Sequence, residues 1–327
     1  MRIKKVLITG SEGYIGQCLF KTLEKNFSLF GLDKKKGKFT SNHLFKLDLC
    51  NFNNLEKIIE SNKPDLIIHL AGKSTIDDIK NRSEYERDNT LATKNLVKIT
   101  KKLKIKNFIF SSTAAVYDKS NSFLKESSKK KSNNIYGQTK IQCENIIKNN
   151  FKNTSTKYVI LRFFNVCSAI REYKVGELHN PETHLIPIAV NKLLNNKKLK
   201  VYGKNFNTKD GTCVRDYVHI KDICRGIEKT IFFLDIKKSS GTFNLGSGLG
   251  YSIIEVINKL KFKNNKIKYL LFNRRRGDVD SLVCSIKKAK KVLKWKPRFS
   301  NLDDIILDEI FWQKYIEKKS IKRKYIY

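Results

Sequence analysis

Thr9-Gly10-Ser11-Glu12-Gly13-Tyr14-Ile15-Gly16 lies between a short apolar run, Ile3–Thr9, and a stretch, Ile15–Lys25, in which Ile15, Leu19 and Leu23 recur at helical spacing. A strand that ends in such a turn and a helix that starts from it decide the fold. Gly10 suits a tight bend, Gly13 lets the backbone approach a pyrophosphate, and Gly16 lets the helix pack closely on the strand. The helix N-terminus adds amide donors and the positive end of its dipole. The spacing G-x-x-G-x-x-G is one residue longer than the common fingerprint, so the strand–turn–helix context gives the dinucleotide reading its weight. Asp33 closes a second strand, Phe27–Asp33, where an acid accepts hydrogen bonds from an adenosine ribose. A carboxylate there repels a 2′-phosphate and favours NAD, although Lys34-Lys35-Lys36 act in the opposite sense.

The alternation continues outward. Pro64 precedes a buried-strand run, Asp65–Leu70, closed by Ala71-Gly72. A helix with Ala92, Leu96, Ile99 and Leu103 on one face leads to a strand, Asn107–Ser112; a helix over about Tyr136–Asn149 leads to another, Tyr158–Asn165. Short apolar strands separated by amphipathic helices are βαβ units, and right-handed crossovers make them a Rossmann-type, doubly wound parallel α/β sheet. Beyond residue 166 the pattern loosens. His179–His184 reads as a loop, Leu185–Asn195 as a helix, Leu199–Gly203 as a strand, and Ser252-Ile253-Ile254-Glu255 as a capping box. The expected organisation is a cofactor domain over 1–166 and a smaller C-terminal α/β substrate lobe over 167–327. A segment near 212–236 is expected to pack back on the first domain. The basic stretch Lys314–Tyr327 is expected to fray.

Composition narrows the classes. The 327 residues carry 67 Lys+Arg against 31 Asp+Glu, a formal net charge of +36, yet 40% are hydrophobic and 11% aromatic, enough for a large core. No run of apolar residues is long enough for a membrane span, and the start, Met1-Arg2-Ile3-Lys4-Lys5, has no signal-peptide pattern, so a cytoplasmic protein is expected. Lysines scattered among Asn and Ile read as solvated surface rather than a nucleic-acid interface, and their field would favour a phosphate-bearing small substrate. Seven cysteines without a C-x-x-C pair argue against a disulfide framework. The five histidines do not cluster with them in sequence, so no metal is expected.

Tyr136-Gly137-Gln138-Thr139-Lys140 puts a phenol and an ammonium four residues apart on one helix face. A phenol near pKa 10 is a poor base at neutral pH, and a nearby cation, together with the positive nicotinamide of an oxidised cofactor, is expected to favour its ionised form. Such a tyrosine can take a hydroxyl proton while hydride leaves the same carbon. Ser111-Ser112-Thr113 ends the preceding strand, at the edge where open α/β sheets place their sites, and Thr113 can bond the reacting oxygen.

With these motifs the chain resembles the extended short-chain dehydrogenase/reductases and, within them, the UDP-glucose 4-epimerase family. The similarity runs from residue 2 to about residue 300. Leu161-Arg162-Phe163-Phe164-Asn165, His179-Asn180-Pro181-Glu182-Thr183-His184-Leu185-Ile186-Pro187, Asp210–His219, Asn244–Gly248 and Arg274-Arg275-Arg276-Gly277-Asp278 carry it most specifically. The resemblance implies NAD as cofactor, a UDP-sugar as substrate, a homodimer, and C4 epimerisation through a 4-keto sugar. It implies that Tyr14 and Ile15 line the pyrophosphate turn and that Asp48 and Leu49 hold adenine. Leu70, Ala71, Gly72, Asn89 and Phe164 would complete the cofactor pocket. Tyr136 would be the base, Lys140 its partner at the nicotinamide ribose, and Thr113 its assistant at the sugar hydroxyl. Asn165, Leu185, Tyr202, Arg215, Arg275 and Asp278 would bind the uridine diphosphate and sugar, where bidentate arginines suit phosphate oxygens. Lys73 follows Gly72 directly, one position before the family's usual lysine, and Ser74 takes that place; Phe163 stands where many relatives have Tyr. Leu282 replaces a large tyrosine of some relatives, which implies room for N-acetylated UDP-hexosamines. Ala114 and Ala115 follow Thr113 without the acid that a dehydratase of this superfamily needs. A UDP-glucuronate 4-epimerase and a non-catalytic nucleotide-sensing or nucleic-acid-binding protein are the rival readings.

Overall fold

The computed structural model describes residues 2–35, 43–74, 82–118, 122–179, 181–262, 265–275 and 278–319. Lys36, Asn180, Arg276 and Gly277, singled out above, lie outside them. The chain forms two compact units: one of residues 1–117, 129–162 and 226–243, the other of 118–128, 163–225 and 244–327. The division thus falls between Arg162 and Phe163, against an expected 166/167, and the returning segment is 226–243, against an expected 212–236.

A seven-stranded sheet organises the first unit. In chain order its first six strands are β1 (Lys5–Thr9), β2 (Ser28–Asp33), β3 (Leu44–Lys46), β4 (Leu66–His69), β5 (Asn107–Thr113) and β6 (Lys157–Phe163); the strand Gly241–Leu245 closes the edge. Across the sheet the order is Gly241–Leu245, β6, β5, β4, β1, β2, β3. β1 pairs in parallel with β2 on one side and β4 on the other, in the registers Thr9 to Leu32 and Thr9 to His69. The order therefore reverses at β1, and the crevice beyond its carboxyl end is where such sheets bind ligands. Strands buried on both faces read as continuous apolar runs, and Leu66–His69 is wholly buried. The crossovers include α1 (Tyr14–Leu23), α2 (Phe52–Asn62), α3 (Arg82–Tyr85), α4 (Ala92–Lys102) and α5 (Ile135–Phe151). Asn51 and Asn134 cap α2 and α5 by accepting from the amides of Asn54 and Gly137. Leu7, Ile67, Phe108 and Ile160 of the strands pack with Leu55, Leu96 and Ile147 of the helices in one cluster.

A buried histidine ties this layer together. His69 is fully enclosed, its Nδ1 2.8 Å from Thr9 Oγ1 and its Nε2 3.0 Å from Thr93 Oγ1. Burial, with the charge of Lys140 adding, holds its pKa down at about 3. The unfolded chain takes up this proton near pH 6.5 and the folded one does not, so stability is lost as pH falls from 6.5 toward 3. The expected loss is about 1.4 kcal/mol per pH unit across that window. Urea unfolding at pH 7 and pH 5 checks it: His69→Gln should lose less between the two than the parent, and equal losses would remove His69 as the cause.

In the second unit the helices are α6 (Leu185–Leu194), the start of α7 (Ile220–Lys237), α8 (Ile253–Lys259) and α9 (Leu302–Lys318). Ile186, Val190, Val256, Ile257, Ile305 and Ile306 form its core with Leu199 and Val201. Ser252 caps α8 in a full capping box with Glu255. α9 continues to Lys318, beyond the point at which fraying was expected, because Gln313 and Ile316 are buried and hold its last turns; residues 320–327 lie outside the described chain. Among the described residues no helix is long and apolar enough to cross a membrane.

Candidate active site

The glycine turn lies at the carboxyl end of β1. Gly10 adopts φ +71°, and a Cβ there would stand 2.7 Å from the Ala71 amide nitrogen, so the turn is pressed against Leu70-Ala71 at the end of β4. A Cβ on Gly16 would fall 2.0 Å from the Gly10 carbonyl oxygen. Gly13 is the N-cap of α1 and offers no side chain to cap it, which leaves the first-turn amides facing outward for an anion. Tyr14 and Ile15 open that helix, both half-buried. Asp33, at the end of β2, accepts from the amides of Glu12 (3.0 Å) and Lys35 (3.1 Å).

Glu12 itself was not anticipated. Its carboxyl is buried, and burial, then the Asp33 charge, pushes its pKa up to about 7. Two carboxyl groups, not one, face the end of β2. Lys34 pairs with Asp88 and lies 3.9 Å from Asp48, which Arg87 also binds, so its charge is already matched. Leu49 is part of the core cluster.

At the next strand end the loop Ala71-Gly72-Lys73 is clamped by buried Asn89. The Asn89 Oδ1 accepts from the Lys73 amide at 2.7 Å, and its Nδ2 donates to Lys73 O and Thr139 Oγ1 at 3.1 and 3.0 Å. Asn89 is carried by a π-helical stretch, Glu86–Leu91, for which the sequence gives no signal. The Lys73 ammonium lies 2.5 Å from Glu84 and over the Tyr85 ring.

Tyr136, Lys140 and Glu144 lie one turn apart on one face of α5. The Tyr136 hydroxyl is hydrogen-bonded to Thr113, whose Oγ1 also accepts from the Ala115 amide at 3.2 Å. Lys140 is buried; its Nζ donates to Ser111 O at 3.0 Å and sits 4.7 Å from the Phe110 ring centre and 6.0 Å from that of Tyr136. Burial pushes the Tyr136 phenol up to about 12, outweighing the Thr113 bond that favours ionisation. The Lys140 ammonium is hydrogen-bonded to the Ser111 carbonyl, and burial depresses its own pKa. A Cβ on Gly72 would stand 3.4 Å from Lys140 Nζ, which places the ammonium beside that loop.

The residues expected to meet a nucleotide sugar fall in the second unit. Arg275 stacks its guanidinium 4.1 Å from the Tyr202 ring centre. Arg215 Nη2 lies 3.5 Å from Asp278 Oδ1, and Arg215 is paired in register with Leu282. Val214–Arg215 is the middle strand of three, between Tyr251–Ser252 and Ser281–Leu282, so this register brings Arg215, Asp278 and Leu282 together. Asp216, next to Arg215, is buried and accepts from Ser247 N and Oγ (both 2.6 Å), Gly248 N and Cys284 N, which fixes the strand. Asn165 donates its amide to Asp216 O, Phe164 is buried, and Leu185 is the half-buried first residue of α6. Two of the five histidines come together with carboxylates rather than cysteines: the rings of His179 and His184 lie 5.1 Å apart beside Glu177 and Glu182. The signal for this cluster in the sequence is the alternation of Glu177, His179, Glu182 and His184.

Comparison with known proteins fits this arrangement. The sequence model of the NAD dependent epimerase/dehydratase family matches residues 6–246. The UDP-glucose 4-epimerase of Lactobacillus helveticus is 33% identical over 320 residues, covering 95% of this chain and 97% of that protein. A crystal structure of UDP-glucose 4-epimerase from Brucella ovis in complex with NAD is similar at a TM-score of 0.88 and 28% identity, covering 94% of this chain and 97% of that one. The UDP-Glc/GlcNAc 4-epimerase of Campylobacter jejuni is similar at 0.80 and 30%, covering 95% and 99%. A family match across most of the sequence, joined to a glycine turn at the switch point of the sheet and a Thr113–Tyr136 hydrogen bond on β5 and α5, makes the chain a member of the NAD dependent epimerase/dehydratase family.

Proposed function

We propose that the chain interconverts UDP-hexoses by inverting C4 through a 4-keto sugar, for which bound NAD supplies the hydride acceptor. The observation that carries the reading is the Tyr136 hydroxyl bonded to Thr113, one helical turn from buried Lys140. The turn at Gly10, Gly13 and Gly16 fits a pyrophosphate because a side chain at any of the three would meet the Gly10 carbonyl or the β4 end. Paired acids at Glu12 and Asp33 suit a free 2′-hydroxyl better than a 2′-phosphate, which supports NAD over NADP. Tyr136 Oη accepts the C4 hydroxyl proton and returns it, with Thr113 relaying. The phenol is protonated at neutral pH as it stands, and Lys140 together with the positive nicotinamide of oxidised NAD would favour its ionised form. Lys140 positions the Ser111 end of β5 and meets the ribose beside Gly72 in this reading. Arg215 and Arg275 hold the diphosphate, and firm grip there supplies binding energy that a loosely held, rotating sugar cannot. The family resemblance alone supports a homodimer.

Incubation with UDP-Gal, UDP-GalNAc and UDP-GlcUA separately, with chromatographic separation of the products, tests this. Conversion of UDP-Gal is expected, and of UDP-GalNAc too if Leu282 leaves space for the acetamido group. Conversion of UDP-GlcUA alone would shift the assignment to a uronate epimerase, and no conversion of any of them would refute it. The cofactor turn is tested by Gly16→Ala. Crowding the Gly10 oxygen should weaken NAD binding by about tenfold or more, equivalent to a strain of about 1–3 kcal/mol. Unchanged affinity by fluorescence titration would show that NAD lies elsewhere.

A further inference from the structure

The loop between the strand Val175–Gly176 and α6 carries a cluster that the proposed reaction does not use. Glu177, His179, Glu182 and His184 each offer a donor atom, and the four atoms all lie within 4.8 Å of one another. Glu177 is the inner member, 1% exposed. Its Oε1 meets Nδ1 of His179 at 2.8 Å and Nδ1 of His184, while both ring nitrogens lie 3.8 and 3.7 Å from Glu182 Oε1. The second Glu177 oxygen, Oε2, is buried and accepts no hydrogen bond among the described residues. A buried carboxylate oxygen left without a donor is costly.

The surrounding chain holds the set in place. Trp312 Nε1 donates to Glu177 O at 2.7 Å, and Gly176 lies so close to the same indole that a Cβ would stand 2.7 Å from it. Glu182 Oε1 accepts the amides of Thr183 and His184 at 2.9 and 3.0 Å. The indole therefore fixes the backbone at Glu177, and backbone amides orient the Glu182 carboxylate, as outer partners do around metal ligands. Two imidazoles and two carboxylates suit a first-row dication of borderline softness; calcium and magnesium prefer oxygen-only shells. A dication meets all four groups together.

We propose that Glu177, His179, Glu182 and His184 bind one zinc-like divalent cation that pins this loop to the N-terminus of α6. The site stands independently of the epimerase reading. The test uses full-length protein stripped with a chelator, titrated with Zn²⁺ by calorimetry and with Co²⁺ by visible absorption. The expected result is one ion per chain, a low-symmetry cobalt spectrum without thiolate charge-transfer bands, and a rise in thermal midpoint with Zn²⁺. Glu177→Gln, His179→Gln and His184→Ala, each shown folded by circular dichroism, should lose at least about tenfold in affinity. Cys50→Ser, a change at a half-exposed thiol, should retain it. No stoichiometric binding by the parent protein, unchanged affinity in the folded variants, or thiolate bands lost in Cys50→Ser would each overturn the proposal.

Discussion

Tyr136→Phe is expected to lower UDP-hexose turnover by about 10²–10⁴-fold while leaving the protein folded and able to bind NAD. The effect resides in one oxygen atom. The ring keeps its place on α5, Lys140 keeps its bond to Ser111 O, and the Gly10–Gly16 turn lies on a different strand end. What disappears is the group proposed to carry the C4 proton, together with its bond to Thr113. In the proposed mechanism that hydroxyl acts on the reacting bond, so the loss should appear in kcat with KM little changed. Thr113→Val should give a smaller loss in the same parameter, since the phenol remains and only its relay is gone. A Tyr136→Phe enzyme within a few-fold of the parent would remove Tyr136 from the chemistry and, with it, the proposed mechanism.

The difference between what the sequence showed and what it concealed follows from the range of the interactions. β1, β2, β4 and β5 were readable because strands buried on both faces must be continuous apolar runs, and Gly10 and Gly16 because a close backbone approach admits no other residue. Short-range patterns also gave α5 and the Ser252 capping box. What stayed hidden depends on contacts between distant segments. The raised phenol of Tyr136 depends on how deeply β5 and α5 enclose it, whereas an i, i+4 spacing reports only a shared face. Glu12 looked like a variable residue within a turn until β2 brought Asp33 to its amide. His179 and His184 were visible as letters, but their convergence on Glu177 comes from a loop conformation anchored by Trp312, 135 residues further on. Arg162 belonged to a recognisable motif whose purpose was not evident.

That purpose makes Arg162→Met the change expected to destabilise most, by about 3–5 kcal/mol. Arg162 on β6 and Glu144 on α5 are 1% and 0% exposed. Nε and Nη2 each donate to a Glu144 oxygen at 2.8 Å, and Nη1 donates to the Tyr117 hydroxyl at 2.8 Å. Ser112 Oγ completes the set at 2.8 Å from Glu144 Oε1, so the carboxylate joins α5 to the end of β5 as well as to β6. Removing the guanidinium leaves a buried carboxylate with Ser112 and two partly exposed lysines, Lys130 at 3.3 Å and Lys148 at 3.8 Å. Neither lysine can match a bidentate buried partner. A double change, Arg162→Met with Glu144→Gln, should recover much of the loss, because the cost lies in the stranded charge more than in the absent pair. Acid provides an independent check. Despite burial, the hydrogen bonds and charge of Arg162 hold the Glu144 carboxyl below its usual value of 4.5, so its contribution is full above that pH and is lost as pH falls through the lower folded value. In Arg162→Met the same carboxyl, without its partner, takes a proton at higher pH and sheds its unpaired charge. The stability gap between parent and variant should therefore narrow between pH 7 and pH 4 in urea unfolding. A gap below about 1 kcal/mol at pH 7, the range of a surface pair, would show that the lysines or water satisfy Glu144 unaided. Because Glu144 is one turn beyond Lys140, the same variant should also lose kcat through a displaced α5, and the double change should restore the two quantities together.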